Sequence, residues 1–409
     1  MSSKVISEVL GLRVRILLAI VILISNSFTW YFATFILINN FLNEIHMSIS
    51  ETFAIWVINS GAAACVALVA ATRTSKAVNR KQLLFLWMLF GAISSIVPMF
   101  MTMASFLELA LIAFLWGVAF GLGMPLSMEY YTDSSKPENR GKIAGITFFI
   151  AYSGIFYFGI MRNYSLKTQI LALTIWRAVG SILFYFVKPN GIQPKTTKGP
   201  SYISIVRERS FILYFIPWFM FCLVNYLNIP ILTELFGEDF AVSSSLIEGL
   251  IIGVFAIIGG SLCDSIGRKR IVVSGFVMVG LGYAVLSVFP RSLISWYFYT
   301  ILDGVAWGML EVSFLMSLWG DLAYEKSSKK YYALGGLPFL FANTLQVLIG
   351  KDLAKSISVS TIFPLTSLFL FLAVLPLIYA PETLPEKKIK ERELKKYIEK
   401  AKKIKEKYN

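Results

Sequence analysis

Gly259 to Arg270 reads GGSLCDSIGRKR: small and apolar residues, then one acid, one glycine and three consecutive bases. Long, greasy windows flank its charged part, at about 246–263 and 271–290. A helix needs about 20 apolar residues to cross the hydrocarbon core of a bilayer, which is about 30 Å thick. The stretch therefore reads as a charged turn joining two membrane-spanning helices.

Windows of that kind recur from end to end. Twelve can be drawn, the first at about 16–38 and the last at about 360–380. The 409 residues are 56% hydrophobic and 15% charged, with a mean hydropathy of +0.68, values of a polytopic membrane protein rather than a soluble domain. The first window follows Lys4, Arg13 and Arg15, but it is longer than a signal peptide's apolar run and no A-x-A-like site follows it. It reads as the first span. Cys65, Cys222 and Cys263 have no metal-ligand spacing and read as small packing residues. With His46 the single histidine, and no G-x-x-x-x-G-K-[ST] motif, metal and histidine chemistry and nucleotide-driven pumping are excluded. The expectation is a protein that is not an enzyme and has no cofactor.

If the N-terminus is cytoplasmic, the inward segments hold 32 of the 38 Lys and Arg. The positive-inside rule then places both termini in the cytoplasm with an even number of spans. The formal charge of +14 follows from topology and calls for no nucleic-acid partner. Two internal matches give nearly one period: VNRK at Val78 recurs as IGRK at Ile266, and GVAFG at Gly117 recurs as GVAWG at Gly304. An offset of 187 to 188 residues equals six helices and a connector. The chain thus divides into a six-helix bundle over 1–188, a cytoplasmic linker over 189–209, a second bundle over 210–381 and a basic tail over 382–409. Parallel halves with a site between them near the midplane are one plan of secondary transporters.

GGSLCDSIGRKR resembles the G-x-L-x-D-x-x-G-R-K signature of the major facilitator superfamily, found in the turns joining helices 2 to 3 and 8 to 9. EYYTDSSKPENRGKIAG, from Glu129 to Gly145, resembles that family's E…P-E-x-R-G segment, and APETLPEKK resembles the P-E-T ending of its sugar and organic-ion porters. The resemblance covers nearly the whole chain and implies an all-α fold of twelve transmembrane helices in two six-helix bundles. It also implies a cytoplasmic gate made of Asp264, Gly267, Arg268, Glu129, Arg140, Arg80 and Asp321, closing as an ion-pair network between the halves. The plainer alternative is that these charges only solvate loops. In the first half, Lys76 and Asn79 stand where the second has Asp264 and Gly267, so the gate is expected to be lopsided.

Charge in hydrocarbon costs at least about 2.5–3.5 kcal/mol, which singles out Arg177, Asp303 and Glu311 within the spans. Asp303, Trp307 and Glu311 fall at i, i+4 and i+8, over roughly 80° of one face. The two acids are candidates for proton coupling; the bland alternative is a hydrated Asp303 and a structurally paired Glu311. Arg177 reads as snorkelling or structurally paired. Gly117 with Gly121, and Gly304 with Gly308, read as close helix contacts. Candidates for binding solute are Asn26, Trp116, Phe148, Asn225, Asn228, Trp307, Asn343 and Gln346. Asn225 and Asn228 precede Pro230, which invites a broken helix. Against the sugar-porter pattern, Phe219 and Met220 replace two glutamines and Phe148 replaces another. Buried hydroxyls would lack partners there, so an amphipathic or cationic organic solute fits better. The tail places Leu394, Ile398, Ala401 and Ile404 at helical spacing, as in a basic amphipathic helix on anionic lipid or a solvated helix. The expectation is a monomeric multi-pass protein of the plasma membrane that moves a small organic solute by alternating access with proton coupling. The alternatives are a facilitator without ion coupling and a sensor or scaffold on the same fold.

Overall fold

The computed structural model describes residues 3–73, 79–102, 104–187, 199–224, 228–324, 326–356, 358–384 and 394. The chain runs through twelve helical spans: α1 (Ser3–Ile45), α2 (Ile49–Arg73), α3 (Arg80–Ile96), α4 (Phe106–Ser134), α5 (Arg140–Met161) and α6 (Leu166–Val187) form the first set. The second set begins with α7, described over Arg209–Val224 and Asn228–Phe236, followed by α8 (Glu238–Ile266) and α9 (Arg268–Val288). It closes with α10 (Leu293–Glu311, continuing to Leu322), α11 (Lys329–Ser356) and α12 (Val359–Leu372 with Val374–Tyr379). Among the described residues, eleven helices are long and apolar enough by length and composition to cross a membrane.

Local sequence starts the helices cleanly. Ser48 with Glu51, and Ser105 with Glu108, are S-x-x-E capping boxes: the Glu51 carboxylate accepts from the Ser48 N–H at 2.9 Å, and the Ser105 hydroxyl accepts from the Glu108 N–H at 3.3 Å. The Asn79 side chain caps α3 by accepting from the Lys81 N–H at 3.1 Å. Apolar stripes then point outward: Leu86 and Ile93 on α3, Ile175, Ile182 and Phe186 on α6, and Leu365, Leu368 and Leu375 on α12 are exposed. Such a surface suits lipid and not water.

The internal repeat is visible in the packing. In the first half α2 packs on α4, α3 on α4 and α6, and α1 on α5; six helices later α8 packs on α10, α9 on α10 and α12, and α7 on α11. Two seams join the halves, α5 against α8 and α2 against α11. Along the first, Gly141 and Gly145 of α5 lie on Gly260 and Ala256 of α8 so closely that a Cβ on Gly141 would overlap the Gly260 carbonyl. Gly117 and Gly121 lie on α2 backbone, and Gly304 and Gly308 on α8, as close-contact glycines do.

Candidate functional site

The charged turns meet at one end of the molecule, and all but one of the expected gate residues make side-chain contacts there. The Asp264 carboxylate, 1% exposed, reaches from α8 into the opposite half and accepts from the Gly141 and Lys142 N–H groups at 2.9 and 2.8 Å. It thus sits at the N-terminus of α5, where free amides and the helix dipole favour an anion. Arg268 donates to the same carboxylate at 2.8 Å and to Asp321 at 3.1 Å. Asp321 also pairs with Arg140 of the first half, and Arg268 donates to the Pro137 carbonyl across the seam. The charges are therefore paired and buried rather than solvating loops.

The other two expected members lie in an adjacent cluster. Arg80 pairs with Asp133 at 2.7 Å and Glu129 at 3.4 Å, both in its own half. Glu129 then crosses the interface, taking a hydrogen bond from the Ser327 hydroxyl at 2.5 Å and pairing with Lys329 at 3.4 Å. The asymmetry expected from Lys76 and Asn79 takes a definite form: Asn79 spends its side chain capping α3, and Lys76 lies outside the described residues. Gly267 makes no side-chain contact. Its part is conformational, since φ is 110°, and a Cβ there would collide with the Glu382 carboxylate.

Glu382, from the P-E-T ending, accepts from the Arg268 and Lys269 N–H groups at 2.8 and 3.3 Å and so caps α9. Sequence reasoning weighed that ending only as a resemblance. It also passed over Asp133, although Glu129 and Asp133 stand one helical turn apart.

At mid-depth α10 carries the acids. Trp307 is near the middle of the span, so Asp303 and Glu311 lie about 6 Å from it along the axis on opposite sides. Both are 1% exposed. They face different ways: the Tyr299 hydroxyl donates to Asp303 at 2.9 Å within the second half, whereas Tyr152 of α5 donates to Glu311 at 2.7 Å across the interface. Each keeps one oxygen with no hydrogen-bond donor among the described residues. A π-helical segment, Val312–Ser317, follows Glu311 directly, a departure that often marks functional sites. Tyr152 and Glu248, whose carboxyl lies within hydrogen-bonding reach of Asp303, were missed. Glu248 stood near the start of its hydrophobic window and was not counted as intramembrane.

Aromatic rings fill the space between these polar points. Phe28 meets Phe148 edge to face at 5.3 Å, Trp307 meets Phe221 at 4.7 Å, and Phe32 reaches Phe339 across the interface at 6.0 Å. Among the expected solute-binding residues, Phe148, Trp307 and Asn228 are buried, and Asn228 Oδ1 has no donor among the described residues. Gln346 is half-buried on α11. Asn225, with the expected helix break beside it, and the Asn343 side chain lie outside the described residues, as do the basic tail beyond Leu384 other than Leu394 and most of the linker. Phe219 is exposed on α7 and lines an apolar groove of about 240 Å³ with Cys222 and Pro338.

Two candidates belong to the interior of the first half instead. Trp116 donates its indole N–H to the Ser94 carbonyl at 3.1 Å. Asn26 accepts from Arg177 at 2.9 Å and donates to the Trp176 carbonyl at 2.8 Å, so its amide is engaged within the bundle. Arg177 does not snorkel. Fully buried, its guanidinium bonds Asn26 and Ser27 and lies 5.2 and 4.6 Å from the rings of Trp30 and Trp87, a cation–π sandwich in place of a carboxylate. Cys222 and Cys263 are packed as expected, whereas Cys65 is exposed.

Two parallel bundles of six membrane helices, latched by buried ion pairs at the ends of α4, α5, α8 and α10, define a transporter architecture. The chain belongs to the major facilitator superfamily, whose sequence profile matches residues 2–159 and 214–407. It is accordingly a multi-pass integral membrane protein of a transporter family, not an enzyme. No curated protein matches it. Among solved structures it is similar to the human organic anion transporter MFSD10 (TETRAN), with a TM-score of 0.66 and 14% identity over 90% of this chain and 99% of that one. It is also similar to the proton:xylose symporter XylE bound to 6-bromo-6-deoxy-D-glucose, with a TM-score of 0.65 and 15% identity over 92% of this chain and 97% of that one.

Proposed function

We propose that this protein is a secondary active transporter that carries a small organic solute across the plasma membrane by alternating access, coupled to protons. It works as a monomer with both termini and the latched end in the cytoplasm, as its Lys and Arg distribution favours. The halves are residues 1–188 and 210–381, joined by the linker 189–209 and followed by the tail 382–409. The latched structure corresponds to the state in which cytoplasmic access is shut. The carrying observation is Glu311: an acid at mid-depth, held by Tyr152 of the opposite half, with one carboxyl oxygen left without a donor among the described residues. Loading or releasing a proton there changes a contact on which the relation of the halves depends.

Phe148, Trp307, Asn228 and Gln346, with Asn225 and Asn343, line the solute pathway in this reading. Acids and π-faces without a free base at mid-depth among the described residues suit an amphipathic or cationic solute, and Arg177 is walled off between indoles. Asp303 and Glu311 carry the coupling. Flux assays in reconstituted vesicles, with and without a pH gradient, test the proposal. Gradient-driven uptake should be lost in Asp303→Asn and Glu311→Gln while solute exchange persists. Uptake indifferent to the gradient would indicate a facilitator, and no flux for any solute a sensor or scaffold.

A further inference from the structure

We propose that Glu248 and Asp303 form one proton-binding site inside the second half, two carboxyl groups holding a single proton between them. The inference rests on the proton-coupled reading and adds a residue to it. α8 and α10 face each other through polar pairs: the Ser244 and Thr300 hydroxyls stand 2.9 Å apart, and one turn further in the Glu248 and Asp303 carboxyls come within hydrogen-bonding reach. Gly304 allows the approach, since a Cβ there would stand 2.8 Å from the Ile251 side chain and 3.2 Å from the Glu248 carbonyl oxygen.

An ionised carboxylate only accepts hydrogen bonds, and two that meet in a low-dielectric interior repel. Tyr299 serves one Asp303 oxygen, while the other is buried without a donor among the described residues. The other titratable groups facing the pair are Tyr299 and Glu311 on α10, Tyr283 on α9 and, near Gly249 and Gly253 of α8, Tyr152 on α5. None is a base, and no ion pair to either acid is formed among the described residues. One cation between the carboxyls resolves the conflict. A proton turns one acid into a donor for the other. Glu248 is half-buried and Asp303 sealed.

Infrared difference spectroscopy of the full-length protein in lipid, between acid and alkaline pH, reads protonated carboxyl groups directly. Besides any band that Glu311→Gln removes, wild type should show one carboxylic-acid band that disappears in Glu248→Gln and equally in Asp303→Asn, with the double variant losing no more than either alone. Glu311→Gln should leave it present. Glu248→Asp keeps a carboxyl and should retain the band at a shifted position, which separates loss of the site from loss of fold. Two independent bands, each removed by one variant only, would overturn the inference; so would abolition of the band by sodium at constant pH. The readout needs no flux: transport indifferent to pH with the band intact would refute coupling and leave the site standing.

Discussion

Asp264, Arg268, Arg140 and Asp321 show how four charges can be tolerated inside a membrane protein: every one is paired and also hydrogen-bonded to backbone or to a second charge. Removing one partner of such a set leaves an uncompensated buried charge and costs about 3–5 kcal/mol. Arg177 obeys different rules because its partners are neutral. Arg177→Met, which keeps length and removes the charge, should leave the thermal unfolding midpoint near wild type or raise it, whereas Arg177→Ala should lower stability by about 2–5 kcal/mol through the cavity opened between Trp30 and Trp87. A large loss in Arg177→Met would mean that the charge itself is needed. Tyr152→Phe removes one hydrogen bond to an acid, worth about 1.5–3 kcal/mol, at the mid-depth contact between the halves. Solute exchange in vesicles should change by about tenfold for each 1.4 kcal/mol; an unchanged rate would remove Tyr152 from the coupling.

The α5–α8 seam depends on glycine at both levels where backbones touch. Gly141→Val places a branched side chain against the Gly260 carbonyl and should cost about 1–3 kcal/mol. Labelling of the native Cys263, fully buried beside the latch, should accelerate in this variant; unchanged labelling would show that the seam yields elsewhere. Gly267→Ala meets both an unfavourable φ, at about 1–2 kcal/mol, and the Glu382 carboxylate. Much of this was readable beforehand. The D-x-x-G-R-K turn, the repeat of 187–188 residues and the glycine pairs specify helices, halves and contacts because each is a local pattern with one physical outcome. Direction around a helix was harder: Asn26 and Trp116 have the composition of cavity residues, yet both point into their own bundle. No periodicity separates the two faces of a helix that is buried all round. Glu248 and Tyr152 escaped for a similar reason, since their meaning lies in neighbours about 55 and 160 positions away.

At the scale of the molecule, the buried ion pairs that cross the halves lie at the basic end; the halves are also joined at mid-depth by Tyr152–Glu311, on the other seam by Ser60 and Thr344 at 2.9 Å, and at the opposite end of α5 and α8 by a more exposed Arg162–Glu238 pair at 2.5 Å. A clasp at one end and titratable contact at the centre are the parts a rocking machine requires: a few kcal/mol at either place decides which conformer dominates. Spin labels at Lys136, in the α4–α5 turn, and Arg270, at the start of α9, report the separation of the halves at the clasp. Their pulsed electron–electron distance distribution in lipid should be dominated by a single short population in the wild type. It should shift to a longer one in Asp264→Asn, which gives up the charge facing the α5 amides. A distribution identical in the two proteins would contradict the clasp and the alternating mechanism built on it.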